Sequence, residues 1–280
     1  MRPFRKTLAA ALAALCAGAC FAQTGLSADA AALVDSFFAL RMNLSLFDGS
    51  TDAGTAEIIA AIDGFERQNA ERIASFGEQE RIVIDNFIIM ERYNYLYEKD
   101  GQAKVQHEIL GAQRERCEAF ANSTPDDDLG AYFYCTWADV TSCYMGYSVS
   151  DVLKYGRKLR PLYEKALQKD ADFSYALMNI AQYYYFAPKI AGGSKKTSLA
   201  YFERARAAAK TDAQVYFADI FLSQLLFENK DTARCAALLA EAESLCPGSR
   251  YLAVIRAANE SGLSLYEYNR KKSALDKAAQ

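Results

Sequence analysis

Residues 183–205 read YYYFAPKIAGGSKKTSLAYFERA. An aromatic helix end, Tyr183 to Phe186, runs into Pro188 and then into the pair Gly192 and Gly193. Proline lacks the N–H that would continue the helix, and paired glycines open backbone angles closed to other residues. A new helix starts after Ser194, a residue suited to cap it. That helix carries a small–bulky–small stripe: Ser198, Phe202 and Ala205. The stripe recurs as Leu159, Tyr163 and Ala166 on one side and as Cys235, Leu239 and Ala242 on the other. All three positions keep one helical spacing in each unit, and only the residue type at the first position varies.

Recurrence at this distance defines helical hairpins. The Ala positions lie 39 and 37 residues apart. The first helices of the second and third units also match, as Ile180, Ala181 and Tyr184 and as Leu222, Ser223 and Leu226. Small residues let helices approach and bulky ones fill the groove beside them, as in tetratricopeptide repeats, whose basic period is about 34 residues. A single such hairpin cannot bury its apolar face alone, so the units are expected to stack. The expected fold is all-α: an α-solenoid of degenerate tetratricopeptide-like hairpins with extra N-terminal helices.

Reading outward, apolar residues at helical spacing predict helices over 30–46, 55–75, 79–98 and 103–121. The run Ile82, Val83, Ile84 suits a short strand, but its continuation through Phe87 and Ile88 favours a buried helix. The loop 122–128, with Pro125 and three aspartates, is the clearest internal boundary. Residues 1–22 are expected to be an export signal, 23–128 an N-terminal helical region, 129–250 the repeats, and 251–280 a closing helix and tail.

The leader has Arg2, Arg5 and Lys6, then an apolar stretch from Leu8 to Ala19. That stretch is too short to span a bilayer. Two processing routes remain open: ordinary cleavage after Ala22, or a relaxed lipoprotein box, Ala17 to Cys20, with Cys20 taking the lipid. Loss of the leader's three cations moves the net charge from −3 to −6. With no basic run, the chain is a poor candidate for nucleic-acid binding. Five cysteines follow the leader: Cys117, Cys135, Cys143, Cys235 and Cys246. They read mostly as small buried residues. Cys117 with Cys135 would be close enough to bond if the helices flanking Pro125 form a hairpin.

Catalytic and metal chemistry find little support. The single histidine, His107, sits between Gln106 and Glu108 and reads as a solvated helix-face residue. No HExxH, CxxC or P-loop pattern occurs. The turn Gly192–Ser194 has two readings: a plain helix cap, or an anion cradle of backbone N–H groups helped by Lys189, Lys195 and Lys196. Aromatic side chains are more suggestive. Tyr132, Phe133, Tyr134, Trp137, Tyr144 and Tyr147 crowd one helix, and Tyr183 to Phe186 crowd the next unit. At least half must be core. The remainder would line a groove or channel, where rings with hydroxyl tips suit amphipathic ligands. The candidate ligand-binding residues are Trp137, Tyr144, Tyr184, Tyr185 and Lys189; no catalytic residue, metal or cofactor is expected.

The segment PKIAGGS at 188–194, followed by AYFERA at 200–205, resembles the T-component family of TRAP transporters, TatT. The aromatic helix 131–147 and LYEKALQKD at 162–170 resemble the family's earlier part. The likeness covers about residues 130–250. It implies a periplasmic lipoprotein of tetratricopeptide repeats, a homotrimer with a pore in each subunit, and a solute-binding protein of a TRAP transporter as partner. It also implies a small hydrophobic or organic-acid ligand; that the protein is not an enzyme is expected from the lack of nucleophile–base pairs. The same repeats would equally suit a protein-interaction scaffold in envelope assembly, gripping a peptide on its concave face.

Overall fold

The structure, a computed structural model, describes residues 24–97 and 99–271. The export signal, Cys20 and the end of the tail lie outside the described residues. The fold is all-α, with no strand among the described residues. The helices are α1 (Ala28–Leu44), α2 (Asp52–Gln68), α3 (Ala70–Ala74), α4 (Glu78–Leu96), α5 (Gln102–Ser123), α6 (Ala131–Met145), α7 (Val149–Lys169), α8 (Ser174–Phe186), α9 (Lys195–Ala208), α10 (Asp212–Glu228), α11 (Thr232–Leu245) and α12 (Arg250–Glu260). Consecutive helices pack in pairs, such as α6 on α7 and α10 on α11, the hairpin architecture of α-solenoid proteins. The segment 82–84 is helical, within α4. The expected helix 55–75 is broken at Asn69, where α2 ends and the short α3 begins.

Packing gathers the chain into two compact units. Among the described residues, the first holds 24–34 and 66–176, and the second holds 35–65 and 177–271. This grouping cuts across the division read along the chain at residue 128, because α6 packs on both α4 and α5.

In the first unit, burial of Ile82, Val83, Phe87, Leu110, Phe133 and Val140 supplies the core. A buried polar ladder pins three helices in register. Gln113 Nε2 donates to Asn86 Oδ1 at 2.7 Å, and Asn86 Nδ2 donates to Thr136 Oγ1 at 2.9 Å. Asn86 also lies 3.5 Å from the Cys117 thiol, whose pKa burial pushes up to about 12. A second buried acceptor is Asp139, whose carboxylate takes the hydroxyls of Tyr163 at 2.7 Å and Tyr175 at 2.6 Å. Unsatisfied, a buried carboxylate would be costly; two phenol donors from α7 and α8 turn it into a register pin.

The second unit is held the same way. Ser198 Oγ donates to the Ala181 carbonyl at 2.8 Å, and Phe202 stacks on Phe221 with ring centroids 6.4 Å apart. Tyr216, fully buried, bonds through its hydroxyl to Ser45 Oγ at 2.9 Å and to Ser249 Oγ at 2.8 Å. It thereby ties the turn after α1 to α10 and to the cap of α12.

The repeat stripe accounts for most of the inward faces. The buried residues of α9 are Ser198, Phe202 and Ala205, and those of α11 are Cys235, Leu239 and Ala242. On α7 they are Leu159, Tyr163 and Ala166, joined by Tyr155. All five cysteines named above are free thiols, four of them buried. The Cys117–Cys135 bond left open by the sequence is not formed; Cys117 instead faces Asn86.

Candidate functional site

The five candidate residues divide between the units: Trp137 and Tyr144 fall in the first, and Tyr184, Tyr185 and Lys189 in the second.

In the first unit, α6 begins with three buried aromatics, Tyr132, Phe133 and Tyr134. It ends with rings that are only half covered. Trp137 is half-buried and leans on Phe133 at 5.9 Å. Tyr144 is half-buried and stacks on His107, with centroids 4.3 Å apart and planes 13° from parallel. Tyr155 meets the same ring edge-on at 5.9 Å. The guanidinium of Arg114 lies 5.6 Å from the Tyr144 ring and 4.6 Å from that of Tyr155. His107 therefore departs from the solvated position expected of it. Gln106, its neighbour, is buried, and the imidazole turns onto Tyr144 with Nε2 3.4 Å from Asp151 Oδ2. Stacking two planar rings removes more apolar area from water than leaving the imidazole exposed on a helix face.

The polar atoms around Tyr144 are incompletely used. Arg114 Nε and the Tyr147 hydroxyl are buried without a hydrogen-bond partner among the described residues, and His107 Nε2 has only the Asp151 carboxylate at 3.4 Å. Arg114 does spend its terminal nitrogens, on Glu118 at 2.9 Å and Glu115 at 3.3 Å. Burial raises the pKa of Tyr144, helped by the charge of Asp151, and pushes Tyr147 up to about 12. Both phenols are therefore neutral donors at neutral pH.

In the second unit, Tyr184 is half-buried and stacks on Tyr201 at 5.6 Å, with planes 9° apart. Tyr185 packs on Tyr266 at 4.3 Å, and its hydroxyl donates to Glu228. Glu228 also accepts from Lys195 Nζ at 2.7 Å and from Ser264 Oγ at 2.6 Å. Burial raises its pKa, but these donors outweigh burial and leave it lowered, so the carboxylate is charged. Burial and the bond to Glu228 raise the pKa of Tyr185 well above that of a free phenol. Lys189 lies exposed on a short 3-10 turn.

The anion-cradle reading of Gly192–Ser194 does not hold. Gly192 N–H bonds to the Lys189 carbonyl at 3.0 Å, Gly193 N–H to Pro188 at 3.0 Å, and Ser194 N–H to Tyr184 at 2.8 Å. Donors closed on their own loop cannot also hold an anion. Ser194 instead caps α9, its hydroxyl accepting from Thr197 N–H at 3.1 Å.

Sequence reasoning missed His107, Arg114 and Glu228. Arg114 has a readable signal, since it lies seven residues after His107 and so shares its helix face. Glu228 has none, because its partners Tyr185, Lys195 and Ser264 stand 43, 33 and 36 residues away along the chain. Among the described residues no three His, Cys, Asp or Glu side chains gather as a metal site, and no helix is long and apolar enough to cross a membrane. No family model matches the chain, and no curated protein matches it. The class defined by the fold is that of all-α helical-hairpin proteins.

Proposed function

We propose that the protein is a non-enzymatic accessory component of a TRAP-type uptake system. On this reading it works in the periplasm, binds a small hydrophobic or organic-acid ligand, and docks a solute-binding protein. The observation that supports it is the cluster around Tyr144: a half-buried ring stacked on His107, met edge-on by Tyr155 and flanked by the Arg114 guanidinium. An amphipathic molecule laid against Tyr144 and Trp137 would cover apolar ring surface. Tyr184 and Tyr185 offer a similar half-covered surface in the second unit. Assembly as a homotrimer and a lipid on Cys20 belong to the same proposal.

A scaffold that grips a peptide draws on a different feature. Val149, Val152 and Leu153 are exposed at helical spacing on α7, at 78%, 48% and 78% of their full accessibility.

Trp137 is the single tryptophan, so its emission reports on the first cluster. Titration with medium-chain carboxylic acids should shift that emission saturably, and Tyr144→Ala should weaken binding about tenfold. No saturable shift with any acid, or a Tyr144→Ala variant that binds as well as the parent, would remove the cluster from the account.

A further inference from the structure

The loop between α8 and α9 has a feature that ligand carriage does not use. Besides the closed N–H groups described above, Ala191 N–H bonds to the Pro188 carbonyl at 2.8 Å and the Tyr183 hydroxyl donates to the Ala191 carbonyl at 3.0 Å. Gly193 lies so close that a Cβ there would fall 1.7 Å from the Ala187 carbonyl oxygen. A loop braced in this way holds its tip in one place.

What the loop holds outward is apolar. Ile190 is 99% exposed and Phe186 is 62% exposed. Its charges are of one sign. Residues 173–202 contain no aspartate or glutamate but carry Lys189, Lys195 and Lys196, in a chain whose net charge is −3. Lys195 is engaged with Glu228, while Lys189 and Lys196 are exposed and make no ion pair among the described residues.

Size decides what could cover the tip. Two apolar side chains supply about 300 Å², about half of the ~600 Å² per partner that a small stable protein interface buries. A lipid surface needs no such area. It accepts a few apolar side chains at the acyl boundary, while flanking lysines stay among anionic headgroups. We infer that the loop 186–196 is an interfacial anchor: Phe186 and Ile190 enter the surface of an anionic phospholipid bilayer, and Lys189 and Lys196 meet the lipid phosphates.

The test places a reporter at the tip. Ile190→Trp in the full chain adds one indole to Trp137, at a position that does not bear on the core. Vesicles of phosphatidylcholine, with and without phosphatidylglycerol, carry brominated acyl chains as quenchers. With phosphatidylglycerol present, the added emission should shift to the blue and lose about half its intensity, while the unsubstituted chain's Trp137 stays unquenched. Lys189→Glu with Lys196→Glu in the same background should weaken this response about tenfold, and Ile190→Ser in the unsubstituted chain should weaken co-sedimentation similarly. Vesicle binding that leaves the new indole unquenched would show attachment through another segment and overturn the inference. So would equal quenching by neutral vesicles, or a blue shift that grows with protein concentration without lipid, which would mean that a second copy covers the tip.

Discussion

Replacing Tyr216 by Phe removes one oxygen atom from a buried polar junction of the second unit. The hydroxyl bonds to Ser45 Oγ and Ser249 Oγ, and Ser45 stands 171 residues earlier in the chain. After substitution each serine keeps a partner. Ser45 Oγ still donates to the Met42 carbonyl at 2.5 Å, and Ser249 Oγ still accepts from Leu252 N–H at 3.1 Å. What is lost is each serine's bond to the phenol; the proton of Ser249 is left with only the Ser45 carbonyl at 3.5 Å. The expected cost is about 1–2 kcal/mol, that of a buried hydrogen bond with partly compensated partners. Ser45→Ala should cost about 1 kcal/mol by the same reasoning. Because both remove one shared contact, the double variant should fall short of additivity by about 0.5–1 kcal/mol. Urea unfolding followed by far-UV circular dichroism would measure all four forms. Additivity within about 0.3 kcal/mol, with Tyr216→Phe itself near neutral, would show that the turn after α1 does not sit on Tyr216.

Gly193→Ala should destabilise the α8–α9 loop strongly, because its Cβ would meet the Ala187 carbonyl oxygen, whereas Gly64→Ala, with nothing within 4 Å of the new methyl, should gain about 0.5–1 kcal/mol; thermal melts of the pair check both signs. Asp219 is fully buried beside Arg206, and burial, only partly offset by that guanidinium, raises its pKa from 3.8 to about 6. Its native form thus binds a proton more tightly than its unfolded form. The group's contribution is therefore most favourable below about pH 4 and is lost as pH rises toward 6, by roughly 2–3 kcal/mol. The difference between parent and Asp219→Asn stability should change by that amount between pH 4 and 7, and parallel curves would refute it. Ala205→Leu, at a fully buried stripe position, should overpack α9 and cost about 1–3 kcal/mol; a neutral change in Tm would remove Ala205 from the helix contact.

Much of the fold was legible because helical hairpins write their packing into local spacing. Ser198, Phe202 and Ala205 could be read as one inward face from their intervals alone, and they are the buried residues of α9. Ile82 to Ile84 could be assigned to a helix because the apolar pattern ran on to Phe87. The two compact units were not legible. Residues 35–65 join 177 onward through contacts such as Ser45 with Tyr216, and periodicity carries no information about partners that far apart. His107 was misplaced for a related reason: its sequence neighbours are polar, but its ring partner Tyr144 comes from another helix. The glycine turn was ambiguous because N–H groups that could cradle an anion are the same ones that close the loop, and only geometry separates the two uses. Among the candidate rings, the sequence could say that some must remain half-covered, but it could not connect Tyr144 with His107, Arg114 and Tyr155.

Native mass spectrometry of the protein purified from its own cells, under gentle and then denaturing conditions, bears most directly on the carrier reading. A small apolar or acidic molecule should appear as an added mass in the gentle spectrum, leave on unfolding, and be depleted in Tyr144→Ala. A chain that carries no adduct, takes up none from organic-acid or lipid extracts, and forms no complex with a solute-binding protein would contradict it.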